Sequence, residues 1–93
     1  MLGIRRIEML EAEVYITLKK TVADPQGLTI KHALESLGYA QDIKEVRMGK
    51  LVKIKLNLSD PQAAQEKLEQ MCKKLLANPI IEEYRFSIKE GSV

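Results

Sequence analysis

The sequence predicts a small α+β domain made of two similar strand–helix–strand halves, and three observations carry that expectation. The tripeptide Asp-Pro-Gln occurs twice, at Asp24-Pro25-Gln26 and at Asp60-Pro61-Gln62. A helix-like stretch follows each copy, and then a similar hexapeptide, Ile43-Lys44-Glu45-Val46-Arg47-Met48 in the first half and Ile81-Glu82-Glu83-Tyr84-Arg85-Phe86 in the second. The tripeptides lie 36 residues apart and the hexapeptides 38, so the second helical segment should be slightly the longer. The whole chain, residues 1–93, is one domain's length, enough for a modest core and no more.

Each element has a local reason. Ala12, Val14, Ile16 and Leu18 alternate with Glu11, Glu13, Tyr15 and Thr17, the period of two of a strand with one buried face. Asp24 caps the next helix through its carboxylate, and Pro25 takes the first helical position, where a missing N–H costs nothing. Ile30, Ala33, Leu34 and Leu37 form one apolar stripe, and Gly38 ends the helix by supplying the left-handed conformation. A second strand is expected at Ile43–Met48, a hairpin turn at Gly49-Lys50, and a third strand at Leu51–Leu58. Val52, Ile54, Leu56 and Leu58 face inward there, and Lys53, Lys55 and Asn57 face out. Asp60-Pro61 repeats the capping device. Ala64, Leu68, Met71, Cys72, Leu75 and Leu76 make the second stripe, and Pro79 ends that helix near Ala77. Tyr84, Phe86 and Ile88 alternate in a fourth strand.

Strand, helix, strand, strand, helix, strand with right-handed crossovers gives a ferredoxin-like βαββαβ domain: a four-stranded antiparallel sheet with two helices on one face. The first strand then lies between the third and the fourth. Its outward Glu11 and Glu13 come near Lys53 and Lys55 on one side, with Glu83 and Arg85 on the other, so the open face is charge-matched.

The totals exclude several functions. Fifteen basic residues against thirteen acidic leave a net charge of +2, too balanced for a polyanionic partner, and no nucleic acid is expected. One cysteine permits neither an internal disulfide nor a zinc or iron–sulfur site, and points to a reducing cytoplasm. No apolar run approaches a membrane span, and Met1-Leu2-Gly3-Ile4-Arg5-Arg6 lacks the apolar block of a signal peptide.

No residue set reads as an active site. His32, the single histidine, falls off the apolar stripe and has no serine or cysteine placed for it. Cys72 sits on the core stripe, where a thiol packs as a small hydrophobe. Arg47, Gly49 and Lys50 place two positive charges around a turn, but one glycine makes no phosphate cradle. The third strand, Leu51 to Leu58, carries no aromatic side chain on which RNA bases could stack. A small domain without chemistry is most economically a partner-binding subunit. Two other classes stay open: a regulatory domain of the same topology binding small ligands between subunits, and an acylphosphatase-type enzyme. The enzyme would need an arginine in a phosphate-cradling loop, and Thr21-Val22-Ala23-Asp24 has none.

Asp24-Pro25-Gln26-Gly27, Ala33-Leu34-Glu35-Ser36-Leu37-Gly38-Tyr39, Val46-Arg47-Met48-Gly49-Lys50 and the stretch from Met71 to Tyr84 occur in an order that resembles the PurS family. The resemblance spans about residues 12–88. It implies the small, non-catalytic subunit of phosphoribosylformylglycinamidine synthase in de novo purine synthesis. That enzyme is an ATP-dependent carbon–nitrogen ligase with glutamine as amido donor, which converts formylglycinamide ribonucleotide to the amidine. The implied partners are a large synthetase subunit, which binds nucleotide and substrate, and a glutaminase subunit that releases ammonia. The small subunit joins them and helps pass ammonia, as a homodimer or higher homo-oligomer. It binds no cofactor itself, while the assembled complex uses ATP and Mg. Members commonly carry Gly and Leu where Thr21 and Ala23 stand. They also tend to start just before the first strand, so residues 1–9 read as an extension, with Met1–Glu8 either frayed or upstream of a start at Met9. Arg47, Gly49, Lys50, Asn78 and Pro79 match fixed family motifs that the core pattern does not need. They are the candidate partner-binding residues.

Overall fold

A computed structural model describes residues 9–91; the expectation for Met1–Glu8 lies outside them. β1 (Leu10–Leu18), β2 (Gly49–Leu56) and β3 (Glu82–Glu90) form a three-stranded antiparallel sheet in the order β2-β1-β3. The first strand is therefore central, as its sequence position predicts. α1 (Pro25–Leu34) and α2 (Pro61–Met71) connect the strands, and each runs into a π-helical turn, Glu35–Tyr39 and Cys72–Leu76. Both Asp caps are made: Asp24 accepts from Gly27 N–H and Asp60 from Gln62 N–H, with a proline next in each case.

The core is the alternating face of β1 under α2. Leu10, Ala12, Val14 and Ile16 are buried, together with Leu56, Ala64, Leu68, Cys72 and Ala77. Val52, Ile54, Tyr84, Phe86 and Ile88 pack around them, half-buried. On the opposite face, Glu13 stands across from Lys53 with a 3.9 Å ion pair, and Glu11 across from Lys55. Arg85 lies across from Tyr15, its guanidinium carbon 4.3 Å from the ring centroid.

Three expectations are corrected. Ile43–Met48 is not a strand of this sheet, and Gly49-Lys50 is not a hairpin turn. A two-residue hairpin needs a left-handed residue in the turn, yet Gly38 is the only described residue with positive φ, at 104°. Gly49 instead pairs with Thr17 as the first residue of β2, and the chain runs on from Ile43 into the strand without folding back. The four-stranded ferredoxin-like sheet is therefore not closed within one chain.

Second, α1 does not cover the sheet. Only Gly27 is buried along it; Leu28 is 51% exposed and Leu37, beyond it, 73%. The stripe of Ile30, Ala33, Leu34 and Leu37 is real in the sequence, but this chain's core does not use it. The shape follows: the Cα radius of gyration is 18.3 Å, with extents of 62 × 31 × 14 Å, against about 12 Å for a compact chain of this length. Third, Leu75 leaves the second stripe and is 83% exposed. Ala77 N–H donates to Cys72 O at 3.0 Å, an i→i+5 bond that adds a residue to the turn and shifts the phase. Ala77 is buried in its place, beside the half-buried Leu76.

Leu68, a fully buried residue of α2, is the residue whose truncation should be felt most. Leu68→Ala is expected to lower the urea-unfolding free energy by about 2–5 kcal/mol through the cavity it opens.

Candidate functional site

Four of the five candidate residues converge, through one carboxylate, at the end of the sheet where β1 finishes and β2 and β3 begin. Glu82, the first residue of β3, accepts a hydrogen bond from Asn78 N–H at 2.7 Å and pairs with Lys50 Nζ at 3.5 Å. It thereby ties the turn Asn78-Pro79 to the start of β2, where Gly49 and Lys50 lie. Asn78 organises its own loop. Its side-chain carbonyl accepts from Ile80 N–H, and its backbone carbonyl accepts from Ile81 and Glu82 N–H. Lys19 N–H donates to Ile81 O at 2.9 Å, which fastens this loop to the end of β1. Gly49 is tightly placed, since a Cβ there would lie 3.0 Å from Thr17 Cγ2 and 3.1 Å from Ile16 O.

Arg47 belongs to a second knot beside the first. Its guanidinium donates to Lys19 O at 3.0 Å and to Val22 O at 2.9 Å, closing the β1–α1 connection onto the segment before β2. Asp24 completes that knot. One carboxylate oxygen caps α1 at Gly27 N–H, 2.9 Å away, and the other accepts from Met48 N–H at 2.7 Å. A Cβ on Gly27 would collide with Val46 O, so only glycine admits this approach of the helix to the segment before β2.

Both carboxylates are held below their ordinary range. For Asp24 the first cause is the Gly27 hydrogen bond, then that of Met48, with Arg47 adding to them against the cost of burial. For Glu82 it is the Asn78 hydrogen bond, opposed by burial and helped by Lys50.

Asp24 and Glu82 are the residues that sequence reasoning missed here. In the sequence Asp24 reads only as a helix cap and Glu82 only as a member of the second hexapeptide. The usable signal is position: Glu82 is the second residue of the second hexapeptide, four residues after Asn78 and within reach of that loop's N–H groups.

The chemistry available is that of a rigid, polar surface. The glycine of the cationic turn lies in a strand and Arg47 is engaged by backbone carbonyls, so the turn lacks the run of free N–H donors of a phosphate loop. Among the described residues, no group of three or more His, Cys, Asp or Glu side chains could hold a metal ion. No described helix is long and apolar enough to cross a membrane. Beside the convergence, the open face of the sheet carries a shallow depression of about 450 Å³, lined in part by Tyr15, Lys50, Leu51 and Arg85. Leu75 and Ile80, 83% and 80% exposed, add an apolar rim close to Asn78-Pro79.

A family model described as "PurS: Phosphoribosylformylglycinamidine (FGAM) synthase" matches residues 11–90. The Bacillus subtilis phosphoribosylformylglycinamidine synthase subunit PurS is 40% identical over 82 residues, 88% of this chain and 95% of that protein. The crystal structure of Methanocaldococcus jannaschii PurS, described as a subunit of formylglycinamide ribonucleotide amidotransferase, superposes with a TM-score of 0.78 at 40% identity. It covers 89% of this chain and 99% of that one. A chain in the structure of PurLQS from Thermotoga maritima superposes with a TM-score of 0.79 at 26% identity, covering 87% of this chain and 98% of that one.

The two depressed carboxylates set a pH dependence. Each contributes stability that is present above its unfolded-state pKa, near pH 4, and is lost as the pH falls through its lower folded value. Unfolding free energy should therefore be level above about pH 5 and decline below about pH 4. Asp24→Asn and Glu82→Gln should each flatten the decline in urea titrations from pH 6 to 2, and an unchanged slope in both would remove these groups from the linkage.

Proposed function

The chain belongs to the PurS family, and from that premise we propose that it acts as the non-catalytic small subunit of phosphoribosylformylglycinamidine synthase in purine biosynthesis. The multisubunit complex is the enzyme. This chain bridges its synthetase and glutaminase subunits and supports ammonia transfer between them, while ATP and Mg are used elsewhere in the assembly. It works in the cytoplasm. The observation that carries the reading is the match, over 87% of this chain, to a chain of the PurLQS assembly, together with a site closed by polar ties. Arg47, Gly49, Lys50, Asn78 and Pro79 form the partner surface, held in one frame by Glu82 and Asp24.

The four-stranded ferredoxin-like sheet is completed by a second copy in this reading. The apolar stripe of α1 is exposed apart from the half-buried Leu34, and Ile43–Met48 pairs with no described strand. β2 meanwhile has an open edge, with Val52 and Ile54 only half-buried. Exchange of α1 and Ile43–Met48 between two copies satisfies all three at once, with Gly49 as the straightened hinge. Exchange of an identical element is a low-cost route to a dimer.

Three experiments test these statements. Glutamine-dependent amidine formation should require this chain in addition to the matching synthetase and glutaminase subunits, and equal activity without it would refute the bridging role. Lys50→Glu should keep the circular dichroism of the parent, because an ion pair with a side chain 68% exposed is worth only about 0.2–1 kcal/mol. It should nevertheless weaken pull-down of the large subunits. Leu37→Asp should convert the exchanged dimer into single chains at micromolar concentration by sedimentation, and an unaltered mass would argue against the exchange.

A further inference from the structure

The open face carries two rows of side chains at the end of the sheet where β1 finishes. The register sets Leu51, Tyr15 and Arg85 abreast in one row, and Gly49, Thr17 and Glu83 abreast in the next. The second row is low, because Gly49 contributes no side chain and Thr17 a short one. The depression of about 450 Å³ lies over these rows, a volume within the ~300–1,000 Å³ of small-molecule sites.

Two opposite charges border it, and neither is engaged within the chain. Among the described residues the ion pairs are Lys50–Glu82, Lys53–Glu13 and Lys73–Glu69, which include neither Glu83 nor Arg85. The Arg85 guanidinium is instead seated over the Tyr15 ring, 4.3 Å from its centroid. That ring is itself held, since the Tyr15 hydroxyl donates to Glu13 Oε1 at 3.1 Å and Glu13 pairs with Lys53. Stacking orients the plane of a guanidinium and leaves the N–H donors on its rim free for a carboxylate. Arg47 holds the equivalent place in the first hexapeptide, and there the guanidinium is bound to the Lys19 and Val22 carbonyls. The repeat thus contains one structural arginine and one that is oriented but available.

We propose that this depression binds a free α-amino acid, with its carboxylate on Arg85 and its ammonium on Glu83. Charge decides the class. A phosphate or a dicarboxylate at the arginine would meet the repulsion of Glu83, and a simple cation at Glu83 would meet that of Arg85. A ligand carrying both signs satisfies both. Alternate residues of a strand project from the same face about 6.5–7 Å apart, a gap that a small zwitterion spans with a hydrogen bond at each end. Lys50 adds no free charge, because Glu82 neutralises it. The ligand's own side chain then lies over Tyr15 and Leu51, the latter 50% exposed, which favours an uncharged side chain over an acidic one. The site is independent of the bridging role, since it makes no use of Arg47, Asn78 or Pro79.

The test is a titration of the full-length purified chain with L-glutamine and, separately, L-glutamate, read by amide NMR. Saturable shifts are expected at Thr17, Gly49, Leu51, Glu83 and Arg85, with L-glutamine bound the more tightly. Nα-acetyl-L-glutamine, which lacks the ammonium, and L-glutaminamide, which lacks the carboxylate, should each bind about tenfold or more weakly, through loss of a charge-assisted hydrogen bond. Glu83→Gln should weaken L-glutamine to a similar degree and leave Nα-acetyl-L-glutamine unweakened. Arg85→Lys should not preserve binding, because a lysine neither stacks nor forks. Both side chains are exposed, so each variant should keep the circular dichroism of the parent. Absence of saturable shifts at tens of millimolar, or shifts indifferent to both substitutions, would overturn the proposal. Absent shifts with weaker pull-down of the large subunits by Arg85→Lys would overturn it in favour of a carboxylate presented by a partner, and would leave the bridging role standing.

Discussion

The arrangement of this chain hangs on the carboxylate of Asp24. One oxygen caps α1 and the other holds Met48 N–H, so a single side chain fixes the angle at which the helix leaves the sheet. It also fixes the path of the segment that returns. Gly27 lets the helix approach Val46 closely, and Arg47 seals the loop above by donating to Lys19 and Val22 carbonyls. With both ends of the first crossover clamped, Ile43–Met48 has no freedom to fold back beside β2. The straight passage through Gly49, the exposed α1 and the long outline of the molecule are consequences of that clamp.

The second half of the molecule was legible in the sequence and the first only in part. The alternation in β1 and β3, the stripe of Ala64, Leu68 and Cys72, both Asp-Pro caps and the place of Gly38 are local patterns, and local patterns survive into the structure. The hairpin at Gly49-Lys50 and the burial of Leu34 and Leu37 were read as local too, but they depend on whether the first helix lies on its own sheet. Periodicity reports that a helix has an apolar face and is silent on which chain covers it. Leu75 shows a finer limit: one i→i+5 bond at Cys72 is enough to turn it from inward to outward. Of the candidate site, the cationic turn and Asn78-Pro79 were visible as motifs. Their union through Glu82 was not, because it joins residues 32 positions apart across a strand end.

A subunit whose work is to hold others in place needs a surface that does not yield, and the architecture supplies one without a large core. The loop after α2 is closed by Asn78 and Glu82 and fastened to Lys19, while the β1–α1 loop is closed by Asp24 and Arg47. These polar ties cross between segments far apart in sequence, so the turns proposed to face the partners are tied to the sheet. The open face, with its Glu13–Lys53 pair and Arg85 over Tyr15, is ordered by the same kind of cross-strand contact. The family to which the chain belongs gives that rigidity its use.

Cys72, the first residue of the π-helical turn after α2, lies fully buried, and burial pushes its thiol pKa upward. The thiolate that reacts with electrophiles is scarce, and the sulfur itself is out of reach while the helix is seated. It is also the only cysteine in the chain. Any molecule modified at sulfur has passed through a state in which α2 lifted from the sheet. Its labelling rate is thus a clock for the opening of the core, one that needs no added probe and ignores the fluctuations of the exposed first helix.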